Sequence, residues 1–300
     1  MTEKTNKMNN SLEKKNGIWG WVFITIPCLL IFAFAFYPMV ESFFLSFQSG
    51  KGMVTKFVGL QNYKRLFTDP MFKQALGNTF LYLIVQVPIM LMLGIFIANL
   101  LNSPKLAARG LYRTAIFLPC VTSLVAYSIL FKSLFAVDGV INDFLRAIHI
   151  IEEPIAWLLD PFWARVVIIL AITWRWTGYN MIFYLAGMQN IDSSVYEAAE
   201  IDGATKTQQF FHITVPLLKP IILLTTIMST NGTLQLFDEV MNITSGGPGN
   251  ATMTISQYIY NLSFVYNPNF GYAATVSYTI VFMVAVLAFI QFKVVGDKND

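Results

Sequence analysis

Two stretches of the sequence combine aromatic and amide side chains in a pattern suited to binding an uncharged, polyhydroxylated molecule. Trp174, Gly178 and Met181 fall at helical spacing and would share one stripe of a helix. Asn231 and Gln235 are one helical turn apart, and together they offer donors and acceptors to two hydroxyl groups. Aromatic faces can cover the apolar side of such a ligand, as they do in concave binding sites. These five residues are the candidate substrate-path residues.

A packing role is the alternative for the same kinds of residue. Small residues in membrane helices commonly serve helix–helix contact, and Asn or Gln side chains often hydrogen-bond between helices. A lone amide such as Gln86 fits that packing role. Asn231 and Gln235 are two amides on one stripe, which favours ligand contact, so the sequence predicts that this pair contacts the substrate.

The sequence contains no set of residues with the spacing of a catalytic or metal site. His149 and His212 have no Cys or His neighbour at ligand spacing. Cys28 and Cys120 both fall inside apolar runs, which argues against a disulfide framework. The phosphate-binding pattern G-x-x-x-x-G-K-[ST] is missing, and the glycine-rich run 246–249 lacks its lysine and predicts a tight turn. We therefore expect a non-catalytic chain without a cofactor, with any nucleotide handled by a partner.

The composition is that of a membrane protein. Hydrophobic residues make up 55% of the 300 residues and charged residues only 12%, with a mean hydropathy of +0.56. These values exclude an ordinary soluble domain and a disordered chain. The net charge is +3 and the basic residues are spread along the chain, which excludes the basic stripe of a nucleic-acid-binding protein.

Six stretches are long enough to cross a bilayer as helices, which takes about 20 apolar residues. Alternation typical of barrel strands is absent, so the predicted fold is an all-α membrane protein. The first span follows a polar tail, 1–18, and no small-residue cleavage site comes after it, so we expect it to be retained. The predicted spans are about 19–40, 76–101, 114–131, 166–188, 217–237 and 272–292, followed by a tail at 293–300.

Charge inside the predicted spans is confined to Arg175 in the fourth and Lys219 at the start of the fifth. An arginine at the centre of a membrane helix costs about 2.5–3.5 kcal/mol on insertion scales. Arg175 is therefore expected to face the bundle or an aqueous path, with Asp238 as a candidate partner. The spans hold no acidic residue, and an ion-gradient-driven transporter or channel, which is the alternative function, would want one there for coupling.

Lysine and arginine in the loops predict that both termini are cytoplasmic. The loop 102–113 carries three basic residues and no acid, whereas 238–271 carries two acids and no base. Basic loops stay on the cytoplasmic side. Two long segments, 41–75 and 132–162, fall on the outer side in this arrangement, and both are typical of short amphipathic helices broken by Pro, Gly and Asp.

The inner loop 189–216 has the pattern of two short helices that meet at a glycine. Ser194 and Glu197 have the spacing of a capping box, and Gly203 stands where a glycine would end the first helix. Thr205 and Gln208 form a second capping box, and Pro216 is expected at the first turn of the fifth span. Before Pro216 the loop carries four acids and one lysine. Anionic lipid would repel such a segment, so the pattern favours docking into a protein over lying on the membrane surface.

This loop resembles the EAA signature of the permeases of ABC importers. Glutamate and two alanines are followed after three residues by glycine, and after nine more by an Ile-Thr-Val-Pro run in which valine replaces the commoner leucine. The resemblance implies that the loop couples the membrane helices to an ATPase. The matching positions are Glu197, Ala198, Ala199, Asp202, Gly203, Ile213 and Pro216.

Further segments resemble carbohydrate-uptake permeases of the maltose, lactose and glycerol-phosphate group. They extend over nearly the whole chain, from about residue 19 to 292. The matching segments are VGLQNY at 58–63, Asn78-Thr79, Phe117-Leu118-Pro119, the T-x-GGP turn at 244–248 and Gly271-Tyr272-Ala273-Ala274.

The resemblance implies six helices in a type I importer fold and a place in a bacterial cell membrane. It implies a second permease subunit, usually a different chain, two cytoplasmic ATPase subunits that bind ATP and Mg, and an extracellular solute-binding protein. The substrate would be a sugar, such as a di- or oligosaccharide. In related permeases the substrate contacts come from the parts of spans four and five that match Gly178, Met181, Asn231 and Gln235. Several of these positions differ in type within the family, so the identity of the sugar does not transfer.

Overall fold

Helices account for almost all of the computed structural model, which describes residues 17, 19–51, 54–103 and 106–296. Most of the predicted tail 1–18 and the last four residues of the tail 293–300 lie outside the described residues. In chain order the elements are α1 (Trp19–Leu45), β1 (Gln48–Lys51), β2 (Val54–Phe57), α2 (Gln61–Leu66), α3 (Pro70–Asn102), α4 (Arg109–Val121), α5 (Leu124–Leu134), α6 (Val140–Ala147), α7 (Pro161–Gln189), α8 (Ser193–Ile201), α9 (Lys206–Leu217), α10 (Lys219–Leu234), α11 (Asp238–Ile243), α12 (Ile255–Tyr260) and α13 (Phe270–Gly296).

The expectation of a helical membrane fold is confirmed, although the described residues also include one two-stranded hairpin. Four helices in the described part of the chain are long and apolar enough to cross a membrane: α1, α3, α7 and α13. Two further pairs pass the same test when each bent pair is taken as one span, which brings the number to six. Each of the six predicted stretches overlaps one of these helices or pairs.

The third predicted span is not one straight helix. Its two halves, α4 and α5, meet at an angle of 98°. Pro119 lies in the last turn of α4 and cannot donate its backbone nitrogen, and Thr122 and Ser123 are in extended conformations that end the helix. Such a break at membrane depth is tolerated where the freed backbone groups find partners.

The fifth predicted span is shorter than expected and is preceded by a bend. α9 and α10 meet at 67° around Leu218, and α10 ends at Leu234. Pro216 therefore lies in the last turn of α9, just before the bend, and Pro220 occupies the first turn of α10. The helix that follows the bend thus has Pro220 rather than Pro216 in its first turn.

The outer segment 41–75 contains a β-hairpin that the sequence did not predict. β1 pairs antiparallel with β2, with Gln48 opposite Phe57 and Lys51 opposite Val54. The strands are too short and polar to show the alternation that identifies a half-buried strand. The hairpin packs on α13, where a Cβ at Gly271 would overlap the Gln48 carbonyl oxygen. The short helices expected in both outer segments are present, as α2 in 41–75 and as α6 in 132–162.

α7 is the central helix of the bundle and packs against α3, α4 and α10. A Cβ at Gly178 would overlap the Ile116 carbonyl oxygen, so glycine lets the backbones of α7 and α4 approach. A Cβ at Gly94 of α3 would lie 3.2 Å from the Tyr184 ring on α7. Small residues at such crossings are the usual means of helix association in membranes.

Asp69 joins the outer ends of α3, α12 and α13. Its Oδ1 accepts from the amides of Met71 at 2.9 Å and Phe72 at 3.2 Å, while its Oδ2 accepts from the hydroxyls of Tyr258 at 2.6 Å and Tyr272 at 2.7 Å. Burial by itself would raise the pKa of Asp69, but these hydrogen bonds to the ionised form lower it overall. Asp69 thus holds the first turn of α3 against α12 and α13.

Candidate functional site

A cavity of about 320 Å³ lies where α3 and α7 meet the outer end of α10. Its volume falls in the usual range for a small-molecule site. Leu124, the first residue after the break in the third span, contributes to the wall. The aromatic, amide and charged side chains that line it are Gln86, Trp176, Tyr179, Asn180, Gln235, Phe237, Asp238 and Glu239.

The predicted amide pair is partly at this cavity. Gln235 lines the wall, and its Nε2 donates to Asn231 Oδ1 at 2.7 Å. Because α10 ends at Leu234, Gln235 is the residue that follows the helix rather than a member of it. The two amides are therefore bonded to each other, and of the two only Gln235 lines the cavity.

Trp174, Gly178 and Met181 occupy packing positions on α7. Trp174 stacks on Tyr127, with ring centroids 6.1 Å apart. Gly178 faces the backbone of α4, and Met181 is fully buried in the apolar cluster between α3 and α7. A role for these three in substrate contact stays a prediction, and their surroundings favour helix packing.

Trp176 and Glu239 are cavity residues that the sequence did not single out. Glu239 lies in the first turn of α11 and is only 5% exposed. Trp176 Nε1 donates to Glu239 Oε1 at 3.4 Å. Burial raises the pKa of Glu239, and hydrogen bonds from its own amide and from Trp176, together with the charge of Arg175, oppose that rise. Trp176 and Glu239 are about 60 residues apart in the sequence, and no local pattern predicts a contact between them.

Arg175 faces the inside of the bundle, as expected for a charge in a span. It is 7% exposed, and its Nη1 donates to the Thr122 carbonyl at 3.3 Å. Its guanidinium lies 5.0 Å from the centroid of the Tyr127 ring and 5.7 Å from that of Trp176. Among the described residues no ion pair joins Arg175 to Asp238, so the suggested partner was wrong; Arg175 is held by a carbonyl and two aromatic rings instead.

The inner loop folds into two short helices, α8 and α9, as predicted, but the first cap differs. Asp192 caps α8 by accepting from the Ser194 amide at 2.9 Å, so the helix begins two residues before the predicted Ser194 cap would allow. The amide and hydroxyl of Ser194 lower the pKa of Asp192. Because Asp192 caps the helix, Glu197 is not the third residue of a capping box that starts at Ser194. Its side chain is exposed on the loop surface.

Gly203 ends α8 as expected. Its φ of +77° lies in the left-handed region that favours glycine. The Ala204 amide donates to the Ala199 carbonyl at 2.9 Å and the Gly203 amide to the Glu200 carbonyl at 3.1 Å, which is the Schellman pattern. The predicted capping box of Thr205 and Gln208 is confirmed at the start of α9.

The helical hairpin formed by α8 and α9 presents charged and apolar groups to its outside. Glu197, Ala198, Asp202 and Gly203 are exposed, whereas Ala199, Ile213 and Pro216 are half-buried. Ile201 was not singled out from the sequence, yet it is 87% exposed at the tip of α8.

Internal contacts tie the two helices of this hairpin together. The hydroxyls of Tyr196 on α8 and Thr214 on α9 are 2.9 Å apart. Lys206 forms an ion pair with Glu200 across the turn. On its inner side the hairpin faces the end of α3 across a cavity of about 680 Å³. The hairpin is therefore a defined body with an exposed tip.

Residues 90–294 match the family described as the binding-protein-dependent transport system inner membrane component. The lactose transport system permease protein LacF of Rhizobium radiobacter is 60% identical over 292 residues, which cover 97% of this chain and 98% of that protein. The arabinooligosaccharides transport system permease protein AraP of Halalkalibacterium halodurans is 34% identical, over 92% of this chain and 87% of that protein.

The fold also matches a solved structure. A chain from the crystal structure of a bacterial ABC transporter involved in the import of the acidic polysaccharide alginate superposes with a TM-score of 0.83. The match covers 98% of this chain and all of that chain at 21% sequence identity. The architecture of α1 to α13 is thus that of an ABC importer permease.

Proposed function

The chain belongs to the family of binding-protein-dependent transport system inner membrane components, and we propose that it conducts an uncharged sugar through the central cavity. It is a multi-pass permease component and has no catalytic activity of its own. The observation that carries the proposal is the cavity between the broken third span and the end of α10, with indole, phenol, amide and carboxylate groups on its wall. These groups match the hydroxyls and apolar ring faces of a sugar.

An uncharged sugar fits the electrostatics of this wall. The described residues that line the cavity include two charged side chains, Asp238 and Glu239, and both are acidic. An acidic sugar would be repelled there, whereas hydroxyl groups can donate to a carboxylate. The relatives named for lactose and arabinooligosaccharides support the same substrate class.

The helical hairpin is proposed as the coupling segment, spanning 189–216. Glu197 and Asp202 offer charge, and Ile201 offers an apolar side chain that is 87% exposed. A central apolar contact with charges around it is the usual make-up of a protein interface. Two cytoplasmic ATPase subunits, which bind ATP and Mg, would dock here. The remaining EAA positions, Ala198, Ala199, Gly203, Ile213 and Pro216, shape the hairpin rather than contact the partner through charge.

The complete importer in this proposal contains a second permease subunit, two ATPase subunits and an external solute-binding protein. The termini 1–18 and 293–300 would be cytoplasmic tails on either side of the six-span domain 19–292. ATP binding would close the ATPase subunits and move the hairpin, which turns the cavity from inward-facing to outward-facing. The binding protein would then release sugar to the cavity.

The test is ATP-dependent uptake by the assembled complex in proteoliposomes. Lactose, an arabinotriose and lactobionate, the acid formed from lactose, are supplied through the binding protein. Uptake of an uncharged sugar that stops without ATP and persists with an ionophore supports the proposal. Uptake that stops with the ionophore and persists without ATP would contradict it, as would a preference for lactobionate.

A further inference from the structure

We propose that Glu239 is a specificity-determining residue whose carboxylate accepts hydrogen bonds from hydroxyls of the transported sugar, and that Arg175 is a positioning residue acting through Trp176. The inference rests on the proposed function, since it assigns residues to the same cavity. Neither residue lies on the two helical stripes that the sequence indicated. The assignment follows from three contacts that run from the broken third span to the cavity wall.

Glu239 has the position and the capacity for this role. It is 5% exposed and still borders the cavity, so its carboxylate is largely desolvated where a ligand would lie. Trp176 Nε1 donates to one oxygen, Oε1, at 3.4 Å. An ionised carboxylate has two oxygens with about four acceptor sites, so this contact and the hydrogen bond from the Glu239 amide leave about half of that capacity for ligand hydroxyls. Hydrogen bonds to a charged acceptor are roughly twice as strong as neutral ones.

Arg175 stabilises this arrangement from the side away from the cavity. Its guanidinium lies 5.7 Å from the centroid of the Trp176 ring, and that ring donates to Glu239. A cation above an indole face is attracted to the negative charge of that face. No ion pair links Arg175 with Glu239 within the described residues. The positive charge therefore balances the buried carboxylate without occupying its oxygens.

Two buried polar atoms beside this cluster have no protein partner in the described part of the chain: Arg175 Nε and the Tyr127 hydroxyl. Tyr127 is 2% exposed, and the Arg175 guanidinium lies 5.0 Å from the centroid of its ring. Buried polar groups without a partner are uncommon in folded proteins and call for an explanation. Arg175 and Tyr127 thus place more polar atoms beside the cavity than helix packing requires. Such polarity suits a site that binds a ligand rich in hydroxyl groups.

The experiment measures ATP-dependent uptake of radiolabelled lactose by the complete importer in proteoliposomes. We expect Glu239→Ala to reduce uptake about tenfold, and Glu239→Gln, which keeps an acceptor oxygen, to reduce it about threefold or less. Glu153→Ala is the matched control, because Glu153 is an exposed glutamate of the outer segment away from the cavity. Co-purification of the ATPase subunits with each variant reports assembly separately.

The role of Arg175 is tested with a double-mutant cycle, which compares the effect of Arg175→Met on uptake with and without the Glu239 carboxylate. Arg175→Met should reduce uptake about tenfold when Glu239 is present, and about threefold or less in the Glu239→Gln background, where no carboxylate needs balancing. Equal losses in both backgrounds would overturn the positioning role. Uptake by Glu239→Ala equal to that of the Glu153→Ala control, or a fall in uptake matched by a fall in assembly, would overturn the binding role. A wild-type importer that transports neither lactose nor arabinotriose with ATP would instead refute the proposed function.

Discussion

Arg175 donates a hydrogen bond to the carbonyl of Thr122, at 3.3 Å, across the break between α4 and α5. Thr122 is the residue at which α4 ends, so its carbonyl has no helical partner. A backbone group left unpaired in the hydrocarbon region costs several kcal/mol. The charge that makes Arg175 expensive in a membrane helix is therefore used to keep the third span broken beside the cavity.

The close contact at Gly178 predicts a packing effect. Gly178→Ala adds a Cβ that overlaps the Ile116 carbonyl, and such overpacking costs about 1–3 kcal/mol. The thermal midpoint of the purified complex should fall. The control is Gly77→Ala in α3, where a Cβ meets nothing within 4 Å, and which should be neutral or slightly stabilising. Equal midpoints for the two variants would contradict the contact. A loss of uptake in Gly178→Trp would likewise reflect disturbed helix packing rather than a blocked substrate path.

The left-handed conformation of Gly203 predicts a graded series of variants. Asparagine tolerates this conformation better than other residues, whereas a β-branched residue is strained there. Gly203→Asn should retain most ATPase subunits on the complex, and Gly203→Val should lose them together with uptake. Both proteins should remain in the membrane, which is measured by quantitative blotting. Equal retention in both variants would show that the end of α8 is not needed for docking.

Ile201 should contribute to ATPase docking through its apolar side chain. Burial of an isoleucine contributes about 1.5–3 kcal/mol, so Ile201→Ser is expected to weaken docking by at least tenfold. Leu159→Ser is the control, since Leu159 is 70% exposed on the outer segment. The measurement is ATPase binding to the purified permease pair. Wild-type affinity in Ile201→Ser would place the interface elsewhere.

The hydrogen bond between Gln235 and Asn231 predicts non-additive effects on uptake. Gln235→Ala removes a cavity group and should reduce uptake about tenfold. Asn231→Ala removes only the support of that group and should have a smaller effect. The double variant should resemble Gln235→Ala alone. Losses that multiply would indicate that Asn231 contacts the sugar independently.

The predicted topology can be tested by cysteine labelling in a background without Cys28 and Cys120. A cysteine at Glu153 should react with an impermeant thiol reagent in intact cells, since this residue is exposed on the predicted outer side. A cysteine at Asn102, beside the base-rich inner loop, should react only after permeabilisation. Labelling at position 102 in intact cells would reverse the assignment.

Each stretch predicted from hydropathy overlaps a long apolar helix or a bent helix pair, because bilayer thickness fixes the length of an apolar helix. Hydropathy did not predict the 98° break in the third span, since averaged hydropathy does not register a bend. The first cap of the inner loop was assigned to Ser194 instead of Asp192 because both residue types cap helices. The position of Gly203 was predictable, because its left-handed conformation leaves few alternatives.

The cavity wall was harder to predict. α7 is apolar on most of its circumference, so its sequence does not indicate whether Trp174 or Trp176 faces inward. Glu239 reaches the cavity only because α10 ends at Leu234 and the chain returns as α11 to pack on α7. That reversal depends on tertiary packing, and no local pattern encodes it.

Because of the 67° bend at Leu218, the hairpin and α10 form the two arms of an angled lever. The short arm is the hairpin, in which the contact between Tyr196 and Thr214 holds α8 to α9, and the pivot is the buried Leu218. The long arm is α10, whose 16 residues extend about 24 Å from the pivot to Gln235. A swing of about 5° at the short arm displaces the far end by about 2 Å over that length. That distance exceeds the tolerance of a hydrogen bond, so a small movement of the hairpin would be enough to break a hydrogen bond made by Gln235.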